Sequence, residues 1–201
     1  MKPTTLAAIF IGILIVLLMG AFLFGQWFKQ KTIPAPEQKT YNNFVFTKQG
    51  DTWTTTWQHD RNTYLLQMRY FPQDIELVPL TGTINTTTWN QKNITITFDP
   101  NILENYKYVA LAAGELGLSL KRAMGRNPTF TCTTNQTTQD ACLEVQPATC
   151  NSTTQPVILL NPQGPAEITF NQNCITLSGT DLELLRAADK LLYMWYGIVS
   201  R

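Results

Sequence analysis

Leu6 to Gly25 reads LAAIFIGILIVLLMGAFLFG, 20 residues without a charge. A helix needs about 20 apolar residues to cross a bilayer. In hydrocarbon only a helix satisfies every backbone N–H and C=O within one segment. The run has no polar face at any helical register, which argues against a buried core helix. Residues 1–5 then form a short tail, 6–25 a transmembrane signal anchor, 26–40 a linker and 41–201 one tethered domain. The bilayer is the first partner, through residues 6–25.

Lys2 supplies the basic start of a secretory signal, but the apolar run is longer than the roughly 7–15 residues of a signal core. Gln26, Trp27 and Phe28 after it are bulky and offer no small-x-small cleavage site. An uncleaved anchor is expected, with Trp27 and Phe28 at the headgroup boundary. Lys29, Lys31 and Lys39 outnumber Lys2, which by the positive-inside rule favours a cytoplasmic domain. The soluble part argues the other way: it is rich in Thr and Asn, poor in charge, and holds all four cysteines. The expectation is a single-pass cell-membrane protein with its C-terminal domain outside the cytoplasm.

Those cysteines are Cys132, Cys142, Cys150 and Cys174. No pair is spaced C-x-x-C, and His59 is the only histidine, so neither a redox motif nor zinc spacing is present. Two disulfides are expected outside the cytosol. Three pairings are open; Cys132–Cys142 with Cys150–Cys174 closes the shortest loops in sum. No metal and no cofactor is expected. From Tyr41 onward, 11 Lys and Arg face 13 Asp and Glu, and no basic stripe marks a nucleic-acid binder.

Pro34 and Pro36 make the linker a semi-rigid spacer. Phe44–Thr47, Thr52–Trp57 and Tyr64–Phe71 read as strands of an antiparallel meander. Thr81–Gln91 reads as a polar loop. Ile94, Ile96 and Phe98 alternate as one face of a half-buried strand. Tyr106–Met124 changes to helical period, with Val109, Ala112, Ala113, Leu116 and Leu120 in one stripe. Gly114 and Gly117 leave a thin side for close packing. Residues 127–155 form a long cysteine-bearing loop, and Val157–Leu160 a buried strand. A hairpin follows around Asn171–Asn173. The last helix spans 181–196, opened by a capping box from Thr180 to Glu183 and closed by Gly197. The fold class is α+β: one mainly antiparallel sheet covered by two helices.

Candidate chemistry is thin. Asp99 stands at a strand's C-terminal end before a helix, where α/β folds place ligands, although Asp-Pro pairs also start turns. Glu115 lies in the apolar helix, where burial raises a carboxyl's pKa, although an exposed carboxylate fits the glycine side better. Both are candidate ligand-site residues. His59 and Asp60 are neighbours in a turn, and no serine sits in G-x-S-x-G. No catalytic residue is assigned, and the balance leans away from an enzyme. Asn85, Asn93, Asn135 and Asn151 head N-x-S/T acceptors; Asn135 and Asn151, in the polar loop, are the better placed for glycosylation.

Tyr41–Phe44, Ile96–Pro100, Tyr108–Leu120 and Ala188–Ile198 resemble a group of uncharacterised single-pass membrane proteins from small-genome archaea. That resemblance implies an anchored extracytoplasmic architecture and adds no activity or site. The expected function is a non-enzymatic surface or envelope-assembly component binding a protein or glycan partner. Exposed aromatics between Trp53 and Tyr70 would mark its binding face. The alternatives are an envelope enzyme in which Asp99 and Glu115 converge in a pocket, and a pilin-like subunit.

Overall fold

The computed structural model describes residues 12–22, 24, 35–102 and 106–200. It divides into two compact units, Met1–Pro36 and Glu37–Arg201. In the first, residues 12–22 are helical (α1), and Ile13, Val16, Leu18 and Phe22 are each more than half exposed. Among the described residues no helix is long and apolar enough to cross a membrane. Residues 6–11, 23 and 25 of the expected anchor lie outside the described residues, as do linker residues 26–34.

The second unit opens on a meander of β1 (Gln38–Tyr41), β2 (Phe44–Gln49), β3 (Thr52–His59) and β4 (Asn62–Met68). Its pairs are antiparallel throughout. Local chemistry sets the turns. Asn42 and Asn43 both take positive φ, 44° and 67°, and Asp60 takes 54°; Asn and Asp tolerate the left-handed region that two-residue hairpin turns demand. Thus β1 takes in three residues that composition placed in the linker. Pro72 opens α2 (Pro72–Ile75) at its first position, where its missing N–H leaves no bond unmade.

Six strands build the second sheet: β5 (Leu80–Ile84), β6 (Asn93–Phe98), β7 (Asn127–Cys132), β8 (Val157–Asn161), β9 (Glu167–Gln172) and β10 (Cys174–Ser178). Their order is β5-β9-β10-β8-β6-β7. Two elements arise inside the supposed Thr81–Gln91 loop. One is most of β5; the other is α3 (Thr86–Trp89), capped by the Asn85 side chain, which accepts from the N–H groups of Thr87 and Thr88. The expected hairpin, β9 with β10, is antiparallel. The other four pairs are parallel, so an antiparallel arrangement describes the meander and not the larger sheet. Parallel neighbours need a crossover, and α4 (Tyr106–Arg122) supplies it between β6 and β7.

The two long helices do not simply cover a sheet; they lie between two. α6 (Leu182–Trp195) is buried on nearly every side, with Leu184, Leu185, Ala187, Ala188, Leu191 and Leu192 all at or below 1% exposure. One side of α6 packs on β9 and β10. Towards the meander, the Tyr193 ring lies 5.9 Å from Phe46, and Trp57 Nε1 donates to the Tyr196 carbonyl. The capping box does not form: Asp181 sits at φ 55° with no side-chain cap, and the Glu183 carboxylate turns to Arg186 at 3.2 Å. Thr180 contributes only its carbonyl, to Glu183 N–H. Gly197 ends the helix at φ 69°, as expected.

The outer face of the larger sheet is covered by residues 133–156, which contain the short helix α5 (Asp140–Leu143). Thr97 and Thr131 donate their hydroxyls to the Ala148 and Gln146 carbonyls of this segment. Disulfides Cys132–Cys142 and Cys150–Cys174 fasten it. Strand β6 is therefore buried on both faces, Ile94 and Ile96 inward and Thr95 and Thr97 beneath the stapled loop.

Candidate functional site

The end of β4, the middle of α4 and the end of α6 meet around a cavity of about 420 Å³. Leu66 and Met68 are buried core residues of β4, and Tyr64 and Tyr196 bring aromatic surface to the cavity wall. At one end Arg69 Nε donates to Glu115 Oε1 at 2.8 Å, both side chains being largely covered. Burial raises the Glu115 carboxyl above its ordinary range, against the pull of the Arg69 guanidinium. Its second oxygen, Oε2, is buried without a hydrogen-bond partner. Glu115 is therefore a held carboxylate and not the exposed one that its glycine neighbours imply.

Behind this pair lies Asp189 of α6, completely buried. Its Oδ2 accepts from the backbone N–H groups of Arg69 and Tyr70 at 2.8 and 2.9 Å, while Oδ1 has no partner. Next to it Lys190, also buried, donates to the Glu76 and Val78 carbonyls. Tyr193 donates to the Tyr70 carbonyl. From adjacent turns of α6 these three side chains thus hold the chain between the end of β4 and Val78, and Asp189 fixes the backbone of Arg69. Asp189 does not line the cavity, so its role is to position and not to touch a ligand.

A second cavity, about 360 Å³, is bounded by Trp57, Trp89, Trp195, His59 and Arg126. The His59 ring stacks on Trp57 at 4.9 Å. Arg126 is already committed, donating to the Asn90 and Gln91 carbonyls. Of the aromatics between Trp53 and Tyr70, Trp53 is core at 4% exposure, and Trp57, Tyr64 and Tyr70 are half-buried. The meander therefore presents no broad aromatic face.

The two carboxylates singled out in the sequence do not share a cavity. Asp99 uses Oδ1 to accept from Asn101 N–H at 2.9 Å, the self-contained turn typical of Asp; Glu115 alone lines the groove. Asn135 and Asn151 are exposed. Among the described residues no group of His, Cys, Asp or Glu is arranged to hold a metal. Chemically the groove offers one ion-paired carboxylate with hydroxyls from Tyr64, Ser119 and Tyr196, and neither histidine nor cysteine. Asp189 and Lys190 are the residues that sequence reading passes over: with Glu183 and Arg186 they make the polar side of the helix, which reads as solvent-facing, yet the structure buries both. Compared with known proteins, the chain matches no family model, no curated protein and no solved structure.

Proposed function

We propose that this chain is a membrane-tethered extracytoplasmic binding component whose recognition site is the groove between β4 and α4. The observation that carries this reading is the combination of an open groove with a fixed polar end. Leu118, 61% exposed, stands on its α4 wall, while the Arg69–Glu115 pair is locked from behind by α6. Preorganised polar groups beside apolar surface are the usual make-up of binding sites. The 20-residue apolar run supports the tether, and two disulfides support an oxidising compartment. The test is photo-crosslinking in native membranes, from a probe at Leu118 and from one at Leu77, which is 92% exposed and away from the groove. A discrete adduct from position 118 alone is expected. Equal labelling from both positions, or none, overturns the assignment.

A glycan partner has one specific observation in its favour, the three tryptophans around the second cavity. Trp195→Ala abolishing retention on envelope polysaccharide, with Leu118→Ala harmless, would move the site there.

A further inference from the structure

We infer that the partner enters the groove as an extended polypeptide segment and adds to β4 as a fifth strand of the meander; this rests on the groove being the binding site. The first observation is the shape of the cavity wall. It touches six consecutive residues, Tyr64 to Arg69. Neighbouring strand residues point to opposite faces, so a cavity meeting all six runs along the backbone edge. That edge is free, because β4 is the last strand in the order β1-β2-β3-β4.

Register then says which groups await a partner. His59 and Asn62 flank the two-residue turn, and pairing continues through Trp57–Tyr64, Thr55–Leu66 and Trp53–Met68. In an antiparallel ladder alternate residues exchange both bonds with the neighbouring strand. Those of β4 are Asn62, Tyr64, Leu66 and Met68. Thr63, Leu65 and Gln67 consequently turn their N–H and C=O groups toward the groove. The next outward N–H, that of Arg69, is already taken by Asp189, which marks where an added strand stops.

The other three edges are guarded. β1 carries Lys39, whose ammonium lies over the Trp53 ring at 5.1 Å. β7 contains Pro128, and β5 has Gly82 at φ 79° in its middle. Charge, proline and local twist are the ordinary devices against edge pairing. β4 has none of them, and Leu65 on it is 65% exposed. An unguarded edge beside a built groove is the setting for strand addition.

Charge selects the occupant. Arg122, two turns beyond Glu115 on α4, lines the groove and makes no ion pair among the described residues. Arg69 and Glu115 cancel, so the groove is cationic by one charge. The segment that fits alternates apolar and small polar side chains and carries an acidic residue toward Arg122; its amide or hydroxyl donors meet Glu115 Oε2.

The experiment uses the full chain in lipid nanodiscs and a capped nonapeptide alternating valine and threonine around one central aspartate. Binding is read by fluorescence anisotropy, and amide exchange is resolved to single residues. Expected are slowed exchange at Leu65 and Gln67, affinity at least tenfold weaker when alternate peptide amides are N-methylated, and a switch in preference to a lysine-bearing peptide in Arg122→Glu. Because N-methylation alters only the probe, misfolding of a variant cannot mimic the result. Equal binding of the N-methylated peptide overturns strand addition. So does protection of Leu65 and Gln67 without peptide that disappears on dilution, since the edge is then occupied by a second copy. A native adduct from Leu118 with unprotected edge amides retains the groove and removes the fifth strand. Strand addition by the probe peptide without a native adduct removes the groove as the native recognition site, and the native fifth strand with it.

Discussion

Asp189 sits where a charge is least welcome, and its titration has a definite sign. Complete burial and then the nearby Glu115 carboxylate push its pKa up to about 8, while the N–H groups of Tyr70 and Arg69 pull it down. In the unfolded chain it titrates near 3.8. Between those values the folded chain keeps a proton that the unfolded chain releases. The associated stability is complete below about pH 4 and is lost as pH rises through about 8. Asp189→Asn removes this dependence, so thermal melts between pH 5 and 8.5 should converge as the wild type weakens and the variant does not. A wild type that gains on the variant with rising pH would show the residue ionised in the fold. Asp189→Leu leaves two backbone donors unpaired, at about 1–3 kcal/mol each. Glycines separate as cleanly. A Cβ on Gly82, at φ 79°, would meet the Phe170 carbonyl oxygen at 1.9 Å, whereas one on Gly117 meets only the tip of the Phe130 ring at 2.4 Å. That ring is half exposed and swings aside. Urea unfolding should find Gly82→Ala costing about 2 kcal/mol or more, and Gly117→Ala within about 1 kcal/mol of neutral, helped by helix propensity.

Elements differ in how openly they announce themselves. α4 and α6 are legible because their apolar stripes keep the 3.6-residue period, and β6 because Ile94 and Ile96 alternate with threonines. Two strands are not. β7 contains Pro128 and leaves Phe130 half exposed, so it lacks both the propensity and the burial pattern of a core strand; it pairs only because α4 delivers it beside β6. β5 holds Gly82 and few apolar side chains, and it is recruited by the hairpin of β9 and β10. Glu115 was visible as a residue, but its partner Arg69 is 46 positions away, a distance no local pattern spans. The stapled segment carries its own expectation. Its disulfides close separations of 10 and 24 residues, worth about 3 kcal/mol each by chain entropy. Replacing Cys150 and Cys174 by alanine should lower the denaturation midpoint at least as much as replacing Cys132 and Cys142. It should also expose the threonine face of β6, read as faster amide exchange at Thr95 and Thr97. A midpoint shift confined to the shorter loop would contradict this ranking.

At the scale of the whole molecule, the sequence divides cleanly into an apolar run and a polar, cysteine-bearing remainder, whereas the stacking of meander, helix pair, mixed sheet and stapled loop is decided by long-range pairing. Compartment ties these parts together. Disulfides persist in oxidising surroundings and are rare in the cytosol, and the proposed topology puts the disulfide-bonded domain across the membrane that its apolar run is proposed to occupy. Measurements on intact cells and on their membranes follow from one topology. Alkylation before lysis should find no free thiol at any of the four cysteines. Protease added outside should degrade residues 37–201 and spare the apolar fragment, and carbonate washing should leave the full chain in the membrane pellet. Deleting residues 6–25 should release the chain from that pellet, while a chain oxidised in vitro still folds, because the second unit has its own core. Protection from outside protease together with four reactive thiols would place the domain in the cytoplasm. Glu115, Arg122 and the β4 edge would then face a reducing interior, the stapled loop would lose its fastening, and the partner would have to be sought among cytoplasmic proteins.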